Sequence, residues 1–417
     1  MTGPRLSESL DELRQRYQGF VDQKLALDMT RGKPSSDQLD LAAGLLETVT
    51  SASIKAADGT DTRNYGGLEG LPEARALFAD IFGVQPSEVL IGGNSSLQLM
   101  FDTILRAHVF GVPGHAPWGR QGKVRWLCPV PGYDRHFGIV AHLGYELVPV
   151  PLTGAGPDMD VVERLVADDP TIKGIWLVPK YANPTGETVS ADNVRRLATM
   201  TTAAGDFRVF WDDAYSVHHL HDDVQDQDAL ADILAACKAA GNPERVFIFG
   251  STSKISHAGA GLAAFAASAA NVAWTKQHLS KQTIGPDKVN QVRHTRFFKD
   301  GEGIRAHMKR HAALLRPRFQ VVLDTLAAEL GGTELARWTT PRGGYFISLD
   351  VLPHNAKRVV ALAAAAGVKF TEAGATFPHG KDPEDKNIRL APSFPSVAEN
   401  ETATRVLATC IKLAALT

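Results

Sequence analysis

The chain has 417 residues, of which 44% are hydrophobic and 22% are charged, and its formal net charge is -2 at pH 7. These values are typical of a globular protein, and they give no reason to expect nucleic acid or an anionic membrane as a partner. The length exceeds what a single hydrophobic core usually serves, so we expect two domains.

The cysteines and the N-terminus bear on the expected location. Cys128, Cys237 and Cys410 are far apart and have neither metal-site nor redox-motif spacing, so we expect no disulfide framework. The first residues are polar and charged, unlike a secretory signal, and no apolar run is long enough to span a bilayer. We therefore expect a cytoplasmic protein with no membrane partner.

The apolar pattern predicts an N-terminal amphipathic helix, Leu6–Leu27, and then a loop rich in Gly and Pro. From about Leu71, helices such as Pro72–Phe82 and Ser95–His108 alternate with short apolar strands. The predicted strands are Val124–Cys128, Tyr145–Val150, Gly174–Val178, Val209–Trp211 and Val246–Phe249. Buried strands separated by helices favour an α/β fold with a mostly parallel sheet, whose ligands lie beyond the carboxyl ends of the strands.

The pattern changes near Gly301. A long helix, Arg305–Leu330, is followed by a strand at Gly343–Leu349, a helix at Ala356–Ala365 and a short strand at Ile388–Leu390. This arrangement is typical of a smaller α+β domain. We therefore expect an N-terminal segment (1–50) that packs with the small domain, a large domain (51–300) and a small C-terminal domain (301–417).

A lysine follows the last predicted strand of the large domain, in Phe249–Lys254. A lysine becomes a nucleophile or forms a Schiff base when its pKa is lowered. The hydroxyl groups of Ser251 and Ser253 suit a phosphate. A lone motif of this kind is also compatible with an ordinary surface lysine.

Polar side chains also follow two other strands. Asp212 ends an apolar strand and could pair with a protonated pyridine nitrogen, while the phenol of Tyr215 could bind a ring oxygen. Asn183 lies in an Asn-Pro-Thr-Gly turn and could donate to the same oxygen. Each has a structural alternative, a helix cap for Asp212 and a plain turn for Asn183, and the Asn183–Pro184 bond is a candidate for the cis form.

Two further features could bind anions. Gly93, Asn94 and Ser95 precede a predicted helix, whose first N–H groups are free to bind an anion, although an ordinary helix cap explains them too. Arg389 lies on the late strand, where its guanidinium could bind a carboxylate in bidentate fashion. Its partner could equally be a structural acid.

Together, and in this order, these motifs resemble the fold-type-I aminotransferases that use pyridoxal 5′-phosphate (PLP), over nearly the whole chain. The likeness is greatest to bacterial aspartate aminotransferases of the subgroup related to the MocR effector domain. The segments that carry the resemblance are Thr30–Pro34, Arg63–Gly67, Cys128–Asp134, Asn183–Gly186, Asp212–Tyr215, Ser251–Lys254, Gly343–Phe346 and Ile388–Arg389.

The resemblance implies a role for each matching residue. Lys254 is expected to bind PLP as a Schiff base and to move the substrate proton. The other expected cofactor contacts are Asp212 at the ring nitrogen, Tyr215 and Asn183 at the 3′-oxygen, Tyr133 on the ring face, and Gly93, Asn94, Ser95, Ser251 and Ser253 at the phosphate. Arg389 and Gly32, with Asn183, are expected to bind the substrate, and Tyr65 of the partner subunit is expected to reach the phosphate. A homodimer with shared sites is therefore implied.

The chain departs from the pattern at one point. Many members carry an arginine shortly after the lysine, bound to the phosphate, but Leu262 stands about where it would be. His257 or the other subunit would then have to supply a cation. This puts the expected phosphate contacts in doubt, and it leaves the expectation for Lys254 unaffected.

The expected reaction is transamination, with L-aspartate and 2-oxoglutarate giving oxaloacetate and L-glutamate. This pair follows from the subgroup resemblance, and aromatic, alanine or kynurenine-type donors remain open. A dicarboxylic substrate needs a second cation near the site. The candidates from the sequence are Arg31, Lys33, Arg120, Lys180 and Arg296.

Three other kinds of function are weaker. His218, His219 and His221, with Asp222 and Asp223, suggest a metal site, but adjacent side chains point in different directions, so we expect no metal. Gly259–Ala264 matches a loose dinucleotide fingerprint that does not start directly after a strand. A non-catalytic MocR-like effector-binding module remains an alternative, although the set of motifs is complete.

Overall fold

Helices and short strands alternate along residues 8–417, the part of the chain that the computed structural model describes. The helices are α1 Leu10–Asp22, α2 Ser36–Asp40, α3 Pro72–Phe82, α4 Ser96–Phe110, α5 Asp134–His142, α6 Met159–Asp168, α7 Ala191–Thr199, α8 Ile233–Ala239, α9 Ala269–Gln282, α10 Lys288–Phe298, α11 Gly301–Leu330, α12 Ala356–Ala365 and α13 Val397–Leu416. The strands are β1 Leu27–Asp28, β2 Val89–Ile91, β3 Arg125–Val130, β4 Glu146–Pro151, β5 Ile172–Leu177, β6 Arg208–Asp212, β7 Val246–Ser251, β8 Ala263–Ala267, β9 Ala336–Trp338, β10 Ile347–Val351, β11 Val368–Lys369 and β12 Asn387–Leu390. None of the described helices combines the length and apolar character that crossing a bilayer requires.

A seven-stranded sheet in the order β2-β8-β7-β6-β5-β3-β4 forms the centre of the protein. The strands are parallel, except that β8 runs antiparallel to both of its neighbours. Strands β5 and β6 are buried along their whole length, as expected where both faces of a sheet are covered. The mostly parallel sheet predicted from the sequence is confirmed, and its five predicted strands are β3 to β7, with small shifts at their ends.

A second, three-stranded antiparallel sheet has the order β12-β10-β9. It shares a hydrophobic core with α11, α12 and α13, separate from the two cores on the faces of the central sheet. The polar residue Arg389 lies on β12 opposite Ser348 of β10. The small sheet therefore carries an arginine towards the carboxyl edge of the large one.

The N-terminal segment is attached to this second core. Strand β1 pairs in parallel with β11, so Leu27 lies beside Val368. The Tyr17 hydroxyl on α1 donates to the Leu362 carbonyl at 3.0 Å. These contacts place the loop after β1 directly above the carboxyl edge of the central sheet.

Some predicted boundaries were wrong. The N-terminal helix was predicted over Leu6–Leu27; Leu6 lies outside the described residues, and the helix ends at Asp22 because Lys24 has a φ of 51°. The strand predicted from Gly343 begins only at Ile347. A side chain at Gly343 would meet the Tyr181 ring at 2.3 Å, so the two glycines form a close approach instead of a strand.

Candidate active site

A cavity of about 950 Å³ lies at the carboxyl edge of the central sheet, below the second sheet and the loop after β1. Strand order explains the location, because the carboxyl ends of parallel strands meet at one edge. Most residues that the sequence nominated for the cofactor ring and the substrate line this cavity: Gly32, Tyr133, Asn183, Asp212, Tyr215, Lys254 and Arg389.

Lys254 reaches the cavity from the turn that follows β7 and is partly buried there. Burial lowers the pKa of its ammonium group, while the nearby Asp212 carboxylate opposes the shift. Its Nζ lies 4.9 Å from the centre of the Tyr215 ring. A lysine in such surroundings exists more readily as the free amine, which is the form that reacts with a carbonyl group.

Asp212 is the last residue of β6 and is only 3% exposed. Its Oδ2 lies 2.9 Å from Nε2 of His136, a buried residue of α5 that the sequence analysis missed. Its Oδ1 has no hydrogen-bond partner within residues 8–417. A buried carboxylate oxygen without a partner normally costs free energy, so this oxygen suits a protonated ring nitrogen bound in the cavity.

Asn183 and Tyr215 are both buried, and both line the cavity. The Asn183–Pro184 peptide is cis, as predicted. Burial raises the pKa of the Tyr215 phenol well above its usual value, so its hydroxyl group remains a donor at neutral pH. Burial also raises the pKa of Tyr133 to about 12. These side chains bring an amide donor and phenol donors into the same cavity as Asp212, a set of groups that fits a substituted pyridine.

Arg389 projects from β12 into the cavity, next to Asn183. Its Nη1 donates to Asn183 Oδ1 at 3.3 Å, and its Nη2 donates to Thr371 Oγ1 at 3.1 Å. Its Nε is buried and has no partner in the described part of the chain. The guanidinium therefore retains capacity for an anion, in keeping with the expected substrate carboxylate.

Gly32 lies in the loop after β1 and packs against Phe346. A side chain there would meet the Phe346 ring at 2.1 Å, so the chain can approach the cavity this closely only with glycine. The guanidinium of Arg389 lies 5.0 Å from the centre of the same ring. Phe346 thus positions both the loop and the arginine.

The residues expected at the phosphate lie on two adjacent segments: Gly93, Asn94, Ser95, Ser251 and Ser253. Ser253 Oγ donates to the Asn94 carbonyl at 3.1 Å, which joins the segments. The cavity wall on this side is formed by Ser96 and Leu97 in the first turn of α4, where backbone N–H groups have no acceptor within the helix. This end of the cavity fits an anion.

Leu262 supplies no charge to that end. Its side chain is 1% exposed and belongs to the core of the central sheet, while its N–H donates to Thr252 Oγ1 at 2.8 Å. His257 lies in the same loop and is partly exposed. Tyr65 is 84% exposed and is not among the residues that line the cavity.

The structure separates the five cations considered for a second carboxylate. Arg31 and Lys33 line the cavity. The other three do not line it. Lys180 is buried and donates to the Ser216 carbonyl, and Arg296 donates to backbone carbonyls such as that of Lys55. Arg120 is exposed on another part of the surface. The cavity also contains Arg135 and Lys369, which the sequence analysis missed. The position of Arg135, directly after Tyr133 and Asp134, was the signal that could have found it.

The histidine cluster has structural partners. His218 Nε2 lies 3.2 Å from the Lys254 carbonyl oxygen, and His219 Nδ1 lies 2.7 Å from the Tyr181 hydroxyl. No group of three or more His, Cys, Asp or Glu side chains in residues 8–417 is arranged to hold a metal ion. Gly259–Ala264 leads into the strand β8, whereas a dinucleotide fingerprint opens a helix.

Comparison with known proteins gives matches over the whole chain. The model of the family described as aspartate amino-transferase matches residues 1–417. A protein of Mycolicibacterium smegmatis named as an aminotransferase is 52% identical over 97% of this chain and 95% of its own length. An aspartate aminotransferase of Corynebacterium glutamicum is 50% identical over 97% of this chain and 93% of its own length.

Solved structures agree. The crystal structure of an aspartate transaminase from Corynebacterium glutamicum has a TM-score of 0.95 at 50% identity, covering 97% of this chain and 95% of that one. An α-aminoadipate aminotransferase from Thermus thermophilus, solved with N-(5′-phosphopyridoxyl)-L-leucine, shares the fold with a TM-score of 0.75 at 22% identity, covering 99% and 97%. From these matches we conclude that the chain belongs to the aspartate aminotransferase family, whose enzymes use pyridoxal 5′-phosphate.

Proposed function

We propose that this aminotransferase takes the amino group of L-aspartate and passes it to 2-oxoglutarate, giving oxaloacetate and L-glutamate. The observation that carries the transamination chemistry is the buried Asp212 carboxylate, whose Oδ1 lacks a partner in residues 8–417 beside a cavity that also holds Lys254 and Arg389. The Corynebacterium glutamicum sequence and structure matches, both named for the aspartate reaction, support the substrate pair.

The cofactor supplies an aldehyde that joins the substrate amino group and a ring that withdraws electrons from the substrate Cα. In our proposal Lys254 is the residue that would hold the cofactor through its aldehyde carbon, and its free amine would accept the proton from the substrate Cα. Its lowered pKa supports this role, because a protonated ammonium cannot accept a proton. Asp212 keeps the ring nitrogen protonated, and its burial in an almost solvent-free position strengthens that interaction.

The remaining side chains orient the reactants. Asn183 and Tyr215 would donate to the 3′-oxygen of a bound cofactor ring, and Tyr133 would pack against the ring. Gly93, Asn94, Ser95, Ser251 and Ser253 bind the phosphate in this proposal, with the first turn of α4. Arg389 binds the α-carboxylate in bidentate fashion, and the loop at Gly32 covers it and limits access of water.

A dicarboxylic substrate needs a cation for its distal carboxylate. Four basic side chains line the cavity besides Lys254 and Arg389: Arg31, Lys33, Arg135 and Lys369. We propose that one of them binds this carboxylate, which would favour aspartate and glutamate over alanine or aromatic donors. A carboxylate without such a partner would lose solvation on entering the cavity.

We also propose a homodimer in which Tyr65 of the partner subunit reaches the phosphate. The 84% exposure of Tyr65 in the single chain supports a contact with a second one. The motif set supports placement in the MocR-related subgroup, and three buried, unpaired cysteines among the described residues are in keeping with a reducing cytoplasm.

A spectral screen of amino donors tests the function. Holoenzyme is mixed with single amino acids, and the cofactor absorbance is followed as it converts to the aminated form. We expect aspartate and glutamate to convert it fastest, and 2-oxoglutarate to reverse the change in a separate half-reaction. Faster conversion by alanine, aromatic amino acids or kynurenine would overturn the aspartate assignment, and binding without conversion would indicate an effector module. Lys254→Ala is the control that should abolish conversion.

A further inference from the structure

A carboxylate of the protein itself lies beside the guanidinium of Arg389. Asp134 Oδ1 is 3.5 Å from Arg389 Nη1, and both residues line the same cavity. The Asp134 side chain is 40% exposed, whereas that of Arg389 is 10% exposed. The sequence left open whether Arg389 would face a substrate or a structural acid, and the structure places an acid there.

The geometry of this pair is unlike that of a structural salt bridge. The distance of 3.5 Å is long for a charge-assisted hydrogen bond, and none of the hydrogen bonds that Arg389 makes within residues 8–417 goes to Asp134. The other partners of the guanidinium are neutral oxygens, and its Nε is unpaired within residues 8–417. Arg389 is therefore held in place without having its charge fully matched.

Asp134 has a second stabilising environment that does not involve Arg389. It is the first residue of α5, where an acidic side chain interacts favourably with the positive end of the helix dipole. Its substantial exposure also allows water to solvate the carboxylate. Rotation of Asp134 away from Arg389 therefore costs little.

We propose that Asp134 is a specificity-determining residue that competes with the substrate α-carboxylate for Arg389. This inference rests on the proposed role of Arg389. Two carboxylates at one guanidinium repel each other, so an incoming carboxylate must displace Asp134 or bind against its charge. The pair thus lowers the affinity of the free site for simple anions. Only ligands that make further contacts in the cavity then bind tightly.

The test measures equilibrium binding, without turnover. Maleate, a dicarboxylate with no amino group, is titrated into the holoenzyme by calorimetry. Asp134→Asn keeps the shape of the side chain and removes its charge, so we expect the Kd for maleate to fall about three- to tenfold, the range for a partly exposed pair of charges. Asp134→Ser, a smaller neutral replacement, should tighten binding similarly.

A matched control separates this pair from the general charge of the cavity. Glu372 lines the same cavity, and within residues 8–417 it is not among the hydrogen-bond or ion-pair partners of Arg389. Glu372→Gln should change the Kd less than about twofold, since it removes the same charge without freeing the guanidinium. Equal tightening by both variants, or no tightening by either Asp134 variant, would overturn the inference.

Arg389→Gln distinguishes the two levels of the argument. If it weakens maleate binding strongly while Asp134→Asn has no effect, the role of Arg389 stands and the competition is refuted. If Arg389→Gln binds maleate as the unmodified protein does, the proposed carboxylate site itself is wrong. Strong weakening together with tightening in Asp134→Asn is the result that supports both.

Discussion

Replacing His136 tests how the protein holds the Asp212 carboxylate. His136 Nε2 lies 2.9 Å from Asp212 Oδ2, and this is the one hydrogen bond to the Asp212 side chain in the described residues. The imidazole also stacks on Trp176, with ring centres 4.5 Å apart and planes at 14°. His136→Phe keeps an aromatic ring against Trp176 and removes the donor, so it leaves a buried carboxylate without a partner.

The expected magnitude follows from these contacts. Losing a hydrogen bond to a charged group costs about 1.5–3 kcal/mol, while the stacking contribution of about 0.5–1.5 kcal/mol is retained. We therefore expect His136→Phe to lower the free energy of unfolding of the cofactor-free protein by about 2 kcal/mol. His136→Ala should lower it further, because it also removes the stack and leaves a cavity.

Urea unfolding of four proteins gives the coupling energy: the unmodified chain, His136→Phe, Asp212→Asn and the double variant. Removing both partners should cost much less than the sum of the single changes, by at least about 1 kcal/mol. His142→Phe, at the exposed end of the same helix, is the control and should change stability by less than about 0.5 kcal/mol. If His136→Phe is as stable as the control, or if the two changes add, the reasoning about this pair is wrong.

Two further predictions concern the loop at Gly32 and a buried histidine. Gly32→Ala should weaken maleate binding at least about tenfold, because the added Cβ would lie 2.1 Å from the Phe346 ring and the loop would have to move. The control is Gly19→Ala, whose added Cβ would have no atom within 4 Å. Equal maleate binding by the two variants would refute the clash. Burial lowers the pKa of His294 from 6.5 to about 4, so its contribution to stability is complete above pH 6.5 and is lost as the pH falls towards 4. When the pH is lowered from 7 to 5, the free energy of unfolding should therefore fall in both proteins, and the fall should be smaller in His294→Gln by up to about 2 kcal/mol. If the two proteins lose the same free energy over this range, the lowered pKa of His294 is wrong.

The central sheet could be predicted because its strands are apolar along their whole length. Strands β5 and β6 are buried on both faces, and such runs have a clear signal in the sequence. Strand β8 was missed because four of its five residues are alanine, which has little strand propensity. It forms a strand because it pairs with β2 on one side and β7 on the other. The local sequence does not indicate this pairing, which depends on the whole fold.

The same distinction applies to the site. Lys254, Asp212 and Asn183 could be nominated because each stands where a strand ends. His136 could not, because its partner Asp212 is 76 residues away in the sequence and nothing local to α5 indicates the contact. Lys180 illustrates the opposite error, since it stands near the Asn183 turn and yet its ammonium group bonds to the Ser216 carbonyl outside the cavity.

The sequence left two partners open for Arg389, a substrate carboxylate and an acid of the protein. Both applied in part, because the arginine has spare capacity for an anion and an acid of the protein already lies beside it. This charge pair exists because α5 and β12 meet at the carboxyl edge of the central sheet. The sequence indicates each residue type but not the distance of 3.5 Å between Asp134 and Arg389.

The proposed reaction depends most on the covalent role of Lys254. Holoenzyme is reduced with borohydride, digested, and the modified peptide is identified by mass spectrometry. We predict a pyridoxyl group on Lys254 and no covalent label in Lys254→Ala. Labelling of another lysine instead, such as the buried Lys180, whose pKa is also lowered by burial, or no labelling at all, would contradict the account.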